Sequence, residues 1–144
     1  AIMSFMDSTI VLSREVAQLG LFPPVDLNMT TTSTLARSLI SVEHLGVLTE
    51  FKKLLDQYNR LYHIVAIVGE SELSAKDQQL FHRVKKAINY LSQPFYSVEG
   101  QTGRKGVYVP MKQTVTDMRT IIGGEMDKLE DEKMLYIGTL EDVK

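Results

Sequence analysis

The sequence contains no cysteine among its 144 residues, and it has no excess of charge of either sign. Without cysteine, a disulfide framework, a CxxC redox pair and a thiolate zinc site are all excluded. The formal net charge of −2 lacks the basic excess that is typical of proteins that bind nucleic acid, so no nucleic-acid partner is expected. A chain of this length can nevertheless bury a core without crosslinks or metals.

Long hydrophobic runs are also missing. Apolar runs such as Ile64–Val68 are far shorter than the roughly 20 residues that cross a bilayer, so no direct membrane insertion is expected. The first residues have no basic stretch before their apolar residues and do not resemble a signal peptide. Only a few residues precede the strand-like Thr9–Leu12, which favours a fragment or a processed chain.

Helical periodicity is the strongest positive signal. Apolar residues recur at the three-and-four spacing of amphipathic helices in three stretches. Serine or proline at their starts, and glycine or proline at their ends, predict helices within residues 41–69, 74–94 and 110–123. The short connection Gly69–Leu73 predicts that the first two pack as an antiparallel hairpin. The chain is therefore expected to be mainly α.

The remaining segments carry weaker signals. Thr9–Leu12 predicts a strand that continues into a short helix ended by Gly20, and the Thr- and Ser-rich residues 28–38 favour irregular structure. Val107–Val109 is strand-like, and the acidic segment Glu125–Glu132 is expected to be exposed. These signals predict a first structural region at residues 1–26, a connector at 27–40 and a helical domain at 41–144.

No residue pattern predicts a catalytic set or a metal site. His44, His63 and His82 stand at equal spacings that match no helical metal-binding pair, which favours surface or interface histidines. Gly100–Lys105 lacks the spacing of a phosphate-binding loop. The basic cluster at residues 82–86 is expected to form the solvated face of the second helix.

Many short motifs nevertheless occur in order along the chain. They are Asp7–Glu15, Leu19–Gly20, Phe22–Asp26, Glu43–His44, Ile64–Gly69, Glu72–Ser74, Leu91–Phe95, Thr102–Gly103, Val109–Thr114, Gly124–Glu125 and Tyr136–Gly138. Together they resemble the catalytic beta subunit of the rotary proton-translocating ATP synthase over essentially the whole chain. The resemblance implies a C-terminal helical domain preceded by the last strand and helix of an α/β nucleotide-binding domain.

The resemblance implies a role at one side of a nucleotide site. In that family ATP or ADP binds with Mg²⁺, and the phosphate loop, general base and magnesium ligands lie upstream, so this chain alone is not expected to hydrolyse ATP. Three residues match adenine-pocket positions of the family, namely Phe22, Phe95 and Val98. The family has tyrosine at the position of Phe22 and an aromatic residue at the position of Gln101. Ordinary packing of the two phenylalanines beside neighbouring prolines is the competing interpretation.

The resemblance also implies a contact with a central rotor. The family's acidic loop corresponds here to Ser71, Glu72, Leu73, Ser74, Ala75, Lys76 and Asp77. Ser71, Ala75 and Lys76 replace acidic residues of that loop. Torque can still pass by steric contact between rigid packed elements, so a helical lever remains the expectation. A capped hairpin without a partner is the alternative.

The implied partners are alpha-type and beta-type subunits in a hetero-hexameric ring and a gamma-type central shaft. The implied location is the cytoplasm or the mitochondrial matrix, peripheral to an energy-transducing membrane. Two alternatives stay open at this point. One is a non-catalytic, assembly-only beta-like module, favoured by Gln101 and by the altered connector and loop. The other, weaker one is a flagellar or secretion-type ATPase, which shares the string Ile10–Arg14.

Overall fold

The computed structural model describes residues 5–33 and 40–143, and most of these residues are helical. The helices are α1 (Arg14–Gln18), α2 (Val42–Val68), α3 (Ala75–Leu91), α4 (Glu99–Thr102) and α5 (Met111–Gly123). The strands are β1 (Ser8–Thr9) and β2 (Thr31–Thr32). Short 3₁₀ turns lie at Glu70–Glu72, Tyr96–Val98, Asp131–Met134 and Leu140–Val143. The predicted mainly α fold is confirmed.

Polar side chains and glycine set the ends of the long helices, as predicted. The backbone N–H of His44 donates to Ser41 Oγ over 3.1 Å at the start of α2. The N–H of Asp77 donates to Ser74 Oγ over 3.2 Å at the start of α3. Helix α2 ends at Gly69, whose φ of +92° is a conformation that residues with a Cβ rarely adopt. These bonds satisfy N–H groups that a helix leaves without partners in its first turn.

One core joins α2, α3, α5 and the two 3₁₀ turns near the end of the chain. Tyr58 of α2 stacks on Phe81 of α3 with their ring centroids 4.7 Å apart. The apolar residues of the core are Phe51, Leu55, Val84, Ala87, Tyr90, Met118, Ile121, Ile122, Met134 and Leu140. Residues after α5 thus complete the core that the three predicted helices begin.

The apolar stripe of α2 is buried only in its middle. Phe51 and Leu55 are buried, whereas Tyr62 and Val68, which the periodicity places on the same stripe, are about half exposed at 48% and 53%. Tyr58 stacks on Phe81, and the stretch of α2 that follows Tyr58 is longer than the stretch of α3 that precedes Phe81. The last turn of α2 therefore extends past α3.

The segment before the helical domain pairs with itself. Strand β1 pairs antiparallel with β2, Ser8 opposite Thr32 and Thr9 opposite Thr31, and an isolated bridge joins Leu12 to Val25. The predicted strand Thr9–Leu12 is therefore not one continuous strand, because Thr9 belongs to β1 whereas Leu12 forms a separate bridge. Part of the predicted irregular connector forms β2, and its residues 34–39 lie outside the described residues.

The strand predicted at Val107–Val109 does not form. These residues have no strand assignment, and the N–H of Val107 donates to Pro94 O over 2.9 Å. The β-branched residues at positions 107 and 109 favour a strand by their residue type. A strand also needs a neighbouring strand to hydrogen-bond with, and here the segment instead closes a loop.

Candidate functional site

Three hydrogen bonds attach the segment around Phe22 to the helical domain. The N–H of Phe22 donates to Ser92 Oγ over 2.7 Å, and the N–H of Gln93 donates to Phe22 O over 2.8 Å. The hydroxyl of Tyr136 donates to Gly20 O. These bonds fix the segment around Phe22 beside the C-terminal end of α3, although the two are far apart in sequence.

A closed loop follows this junction. Pro94 is fully buried, and the N–H of Gly106 donates to Glu99 Oε1 over 2.6 Å. The two chain segments approach so closely that a Cβ on Gly106 would lie 2.5 Å from the backbone nitrogen of Tyr96. Only glycine fits this approach without a shift of the backbone, so residues 94–107 form a defined loop.

The residues predicted at the adenine side all belong to this junction and loop. Phe22 lies in the attached segment, Phe95 follows the buried Pro94, Val98 ends a 3₁₀ turn, and Gln101 lies in α4. Phe22, Phe95 and Val98 are partly buried, and Gln101 is exposed. The bond between Phe22 O and Gln93 N places Phe22 beside the segment that leads to Phe95, although the two phenylalanines are far apart in sequence.

Two aromatic residues of the same region, Tyr96 and Tyr136, were not predicted as site residues from the sequence. Tyr96 is 65% exposed directly after Phe95, and the guanidinium carbon of Arg104 lies 5.5 Å from the centre of the Tyr136 ring. The signal available for Tyr96 was its place beside a predicted pocket residue. No local pattern signalled Arg104, because its partner lies on a distant segment.

The predicted rotor-contact residues form the tip of the α2–α3 hairpin. Five of them face solvent, and these are Ser71, Glu72, Ser74, Ala75 and Lys76. Leu73 is buried, and its N–H donates to Glu70 O over 3.1 Å. Asp77 is occupied by the cap, since the hydroxyl of Ser74 donates to Asp77 Oδ2 over 2.7 Å. The tip therefore presents a polar surface anchored from inside by one leucine.

The basic residues of α3 are not a solvated face, which corrects the expectation for residues 82–86. Lys86 is 3% exposed, and its Nζ lies 3.3 Å from Asp131 Oδ1. Arg83 Nε donates to Asp127 Oδ1 over 3.0 Å. The expectation that residues 125–132 are exposed is wrong at Asp131, which is 6% exposed. Buried charges need partners of opposite sign, and Asp131 has such a partner in Lys86.

Hydrogen bonds and charges within this cluster shift the pKa values of its two carboxylates and of His82. The hydrogen bond from Arg83 is the main cause that lowers the pKa of Asp127 below its usual 3.8. Burial raises the pKa of Asp131, but the bond and charge of His82 and the charge of Lys86 together outweigh it and lower that pKa. The bond to Asp131 raises the pKa of His82 above 6.5. Both carboxylates are therefore held in their charged forms.

Two further features bear on the kind of site. Within residues 5–33 and 40–143, no three carboxylate or imidazole side chains are grouped so that they would hold a metal ion. In the same part of the chain no helix combines the length and apolar character needed to cross a membrane.

The three-helix core, the polar hairpin tip and the attached N-terminal segment define a helical domain. Residues 34–137 match the family model described as the C-terminal domain of V and A type ATP synthase, and the chain belongs to this family. It is therefore a domain of a rotary ATPase subunit, and membership indicates assembly with other subunits of such a machine.

Proposed function

We propose that this chain is the C-terminal part of a beta-type subunit, where it supplies the adenine side of the nucleotide site and a helical lever for the central rotor. The observation that carries the proposal is the α2–α3 hairpin of a rotary-ATPase family domain, with a polar tip held from inside by Leu73. The neighbourhood of Phe22 and Phe95 at the other end of α3 supports the nucleotide role.

The nucleotide is ATP or ADP with Mg²⁺. Partly buried phenylalanines fit adenine, because an aromatic ring offers a stacking face and excludes water. The exposed Gln101 offers an amide in place of a ring. The Mg²⁺ and the groups that act on the phosphates belong to the upstream nucleotide-binding domain, so the residues of this chain position the base.

The lever works by rigid-body motion. Phe22 is bonded to Ser92 and Gln93 at one end of α3, and the tip 71–77 lies at the other. A shift of the Phe22 segment when nucleotide binds is therefore passed through a helix packed on the core to the tip. Such hinge motions convert a local closure into a displacement at a distance.

The proposed partners are alpha-type and beta-type subunits of a hexameric ring and a gamma-type shaft that the tip contacts. The proposed location is the cytoplasm or the mitochondrial matrix, peripheral to the membrane. The tip carries both Glu72 and Lys76, so its contact with the shaft depends on shape more than on charge of one sign.

The nucleotide role predicts that Phe95→Ala weakens ATP binding to the full-length subunit by about 5- to 150-fold, because loss of a stacking ring costs roughly 1–3 kcal/mol. Equilibrium titration with ATP measures the effect. Tyr108→Ala is the control, since Tyr108 is 76% exposed and lies just outside the loop. Equal ATP affinity of the wild type and a folded Phe95→Ala variant would refute the nucleotide role.

The lever role predicts crosslinking from the tip to the shaft. A photo-crosslinking residue at Lys76, which is exposed at the tip, is expected to capture the shaft subunit in the assembled complex. The same residue at Lys128, which is exposed and lies after α5, is the control and is expected to give no such product. Absence of shaft capture from position 76 in an assembled complex would contradict a rotor contact.

A non-catalytic assembly module is the second candidate. The exposed amide of Gln101, at a position where the resemblance implies a pocket ring, favours it. The module predicts assembly with ring subunits and no ATP binding in the full-length subunit. The titration described above therefore separates the two candidates, since only the first requires that Phe95 affect ATP affinity.

A further inference from the structure

His82 joins two segments that are distant in sequence. Its Nε2 lies 2.7 Å from Glu70 Oε1 in the 3₁₀ turn that follows α2, and its Nδ1 lies 2.7 Å from Asp131 Oδ2 in the 3₁₀ turn that follows α5. A neutral imidazole has a single N–H, whereas the protonated ring has two. Two contacts of this length to carboxylate oxygens therefore require the protonated ring.

We propose that His82 is a proton-dependent clamp that holds the hairpin tip against the 3₁₀ turn Asp131–Met134 and releases Glu70 when the imidazole loses its proton. The inference goes beyond the proposed function, because it rests on contacts within the domain and needs neither a nucleotide nor a rotor.

Exposure decides which carboxylate loses its bond. The side chain of Asp131 is 6% exposed, whereas that of Glu70 is 43% exposed. Water can solvate Glu70 after release, but it cannot reach Asp131 to the same extent, and a buried acceptor without a donor is costly. The one N–H of the neutral ring therefore stays on Asp131.

The other charged groups around the clamp favour the same outcome. Lys85 Nζ and Lys86 Nζ lie 3.4 Å and 3.3 Å from the Asp131 carboxylate, so Asp131 has cationic neighbours in addition to His82. Asp127, Glu130 and Glu132 line the same cleft as His82, and Asp127 is bonded to Arg83. Tyr58 of α2 stays neutral, because burial first, and then its neighbours Tyr62 and Asp131, raise its pKa to about 12.

The sign of the pH effect follows from these contacts. The bond to Asp131 raises the pKa of His82 in the folded chain above 6.5. The stabilisation from the clamp is therefore complete below pH 6.5 and is lost as the pH rises through the higher folded pKa. The clamp also requires a charged Asp131 carboxylate. Because the pKa of Asp131 is lowered below its usual 3.8, protonation of this carboxylate weakens the clamp only at pH values below 3.8.

Release of Glu70 loosens the tip without unfolding the domain. The backbone oxygen of Glu70 still accepts from the N–H of Leu73 and from Gln78 Nε2, so the turn keeps its local bonds but loses its tie to Asp131–Met134. The amide of Leu73 is the reporter of this change, because its hydrogen bond lies inside the clamped turn.

An NMR titration of the folded chain tests the clamp. We expect the midpoint of His82 to lie above 6.5, and Glu70→Gln to lower it. Glu72→Gln is the matched control, since Glu72 lies in the same turn, is exposed and does not contact His82. A His82 midpoint at or below 6.5, or one unchanged by Glu70→Gln, would overturn the proposal.

Hydrogen exchange supplies the second readout. The protection factor of the Leu73 amide is expected to fall about 3- to 10-fold as His82 loses its proton, while the amides of the α5 core stay protected. In Glu70→Gln this pH dependence is expected to disappear. Because this variant keeps the Asp131–Lys86 pair, it tests the clamp without removing a buried charge. Protection of Leu73 that is independent of pH in the wild type would also refute the clamp.

Discussion

Asp131→Ala is expected to lower the free energy of unfolding by about 3–5 kcal/mol, the usual cost of removing one partner from a buried ion pair. The substitution leaves Lys86, whose side chain is 4% exposed, without its carboxylate. It also removes the acceptor of His82 Nδ1. The lost stability arises mainly from the uncompensated buried charge that remains, and urea-induced unfolding measures it.

The neighbouring Glu130 gives the matched control. Its side chain is 74% exposed and pairs with Lys133, three residues along the chain. Glu130→Ala is therefore expected to change stability by less than about 1 kcal/mol, as is usual for surface ion pairs. If Asp131→Ala and Glu130→Ala had equal effects, the buried network would not be a stabilising feature of the fold.

Asp117→Ala is expected to cost about 3 kcal/mol, because it removes the acceptor of two buried donors at once. Asp117 is 4% exposed. Its Oδ2 accepts from the hydroxyl of the fully buried Tyr90 over 2.9 Å and from the N–H of Leu140 over 3.2 Å. Burial, and then Asp117, raise the pKa of Tyr90, so the phenol stays protonated and donates. Urea-induced unfolding again measures the loss.

Two variants bracket this prediction. Asp117→Asn keeps the size and one acceptor oxygen, so a smaller loss of about 1–2 kcal/mol is expected. Asp56→Ala replaces an exposed aspartate on α2 and is expected to stay within about 0.5 kcal/mol of the wild type. A loss for Asp117→Ala no larger than that for Asp56→Ala would show that the Tyr90–Asp117–Leu140 contacts contribute little to the fold.

The helices and their ends were predictable because the signals for them are local. Ser41 and Ser74 lie within three residues of the N–H groups that they cap, and Gly69 ends a helix through its own backbone conformation. The short connection between α2 and α3 left an antiparallel hairpin as the only simple arrangement. Periodicity also identified most of the residues that pack in the core.

The ionic network was not predictable, because its partners are far apart in sequence. Lys86 reads as part of a polar helix face, and Asp131 as part of an acidic exposed segment. Each interpretation is reasonable for the isolated segment. Only the packing of the Asp131–Met134 turn on α3 places the carboxylate against the ammonium group and buries both.

The candidate site was likewise only partly predictable from the sequence. The residue types suitable for stacking on a base, Phe22 and Phe95, were identified from sequence motifs. The attachment of Phe22 beside the segment that leads to Phe95 depends on the bond between Gln93 N and Phe22 O, which no local pattern encodes. In the hairpin tip, the sequence provided the candidate surface, and the fold separated the exposed Lys76 from the buried Leu73.

The absence of cysteine, the balanced charge, the helical periodicity and the caps were determined by the sequence itself, since each depends on composition or on residues within a few positions of one another. The tertiary structure alone decided which charges are buried, which end of α2 stays exposed and which residues surround His82. These features depend on contacts between residues separated by dozens of positions, where the free energy of desolvation and pairing is set by the assembled neighbours.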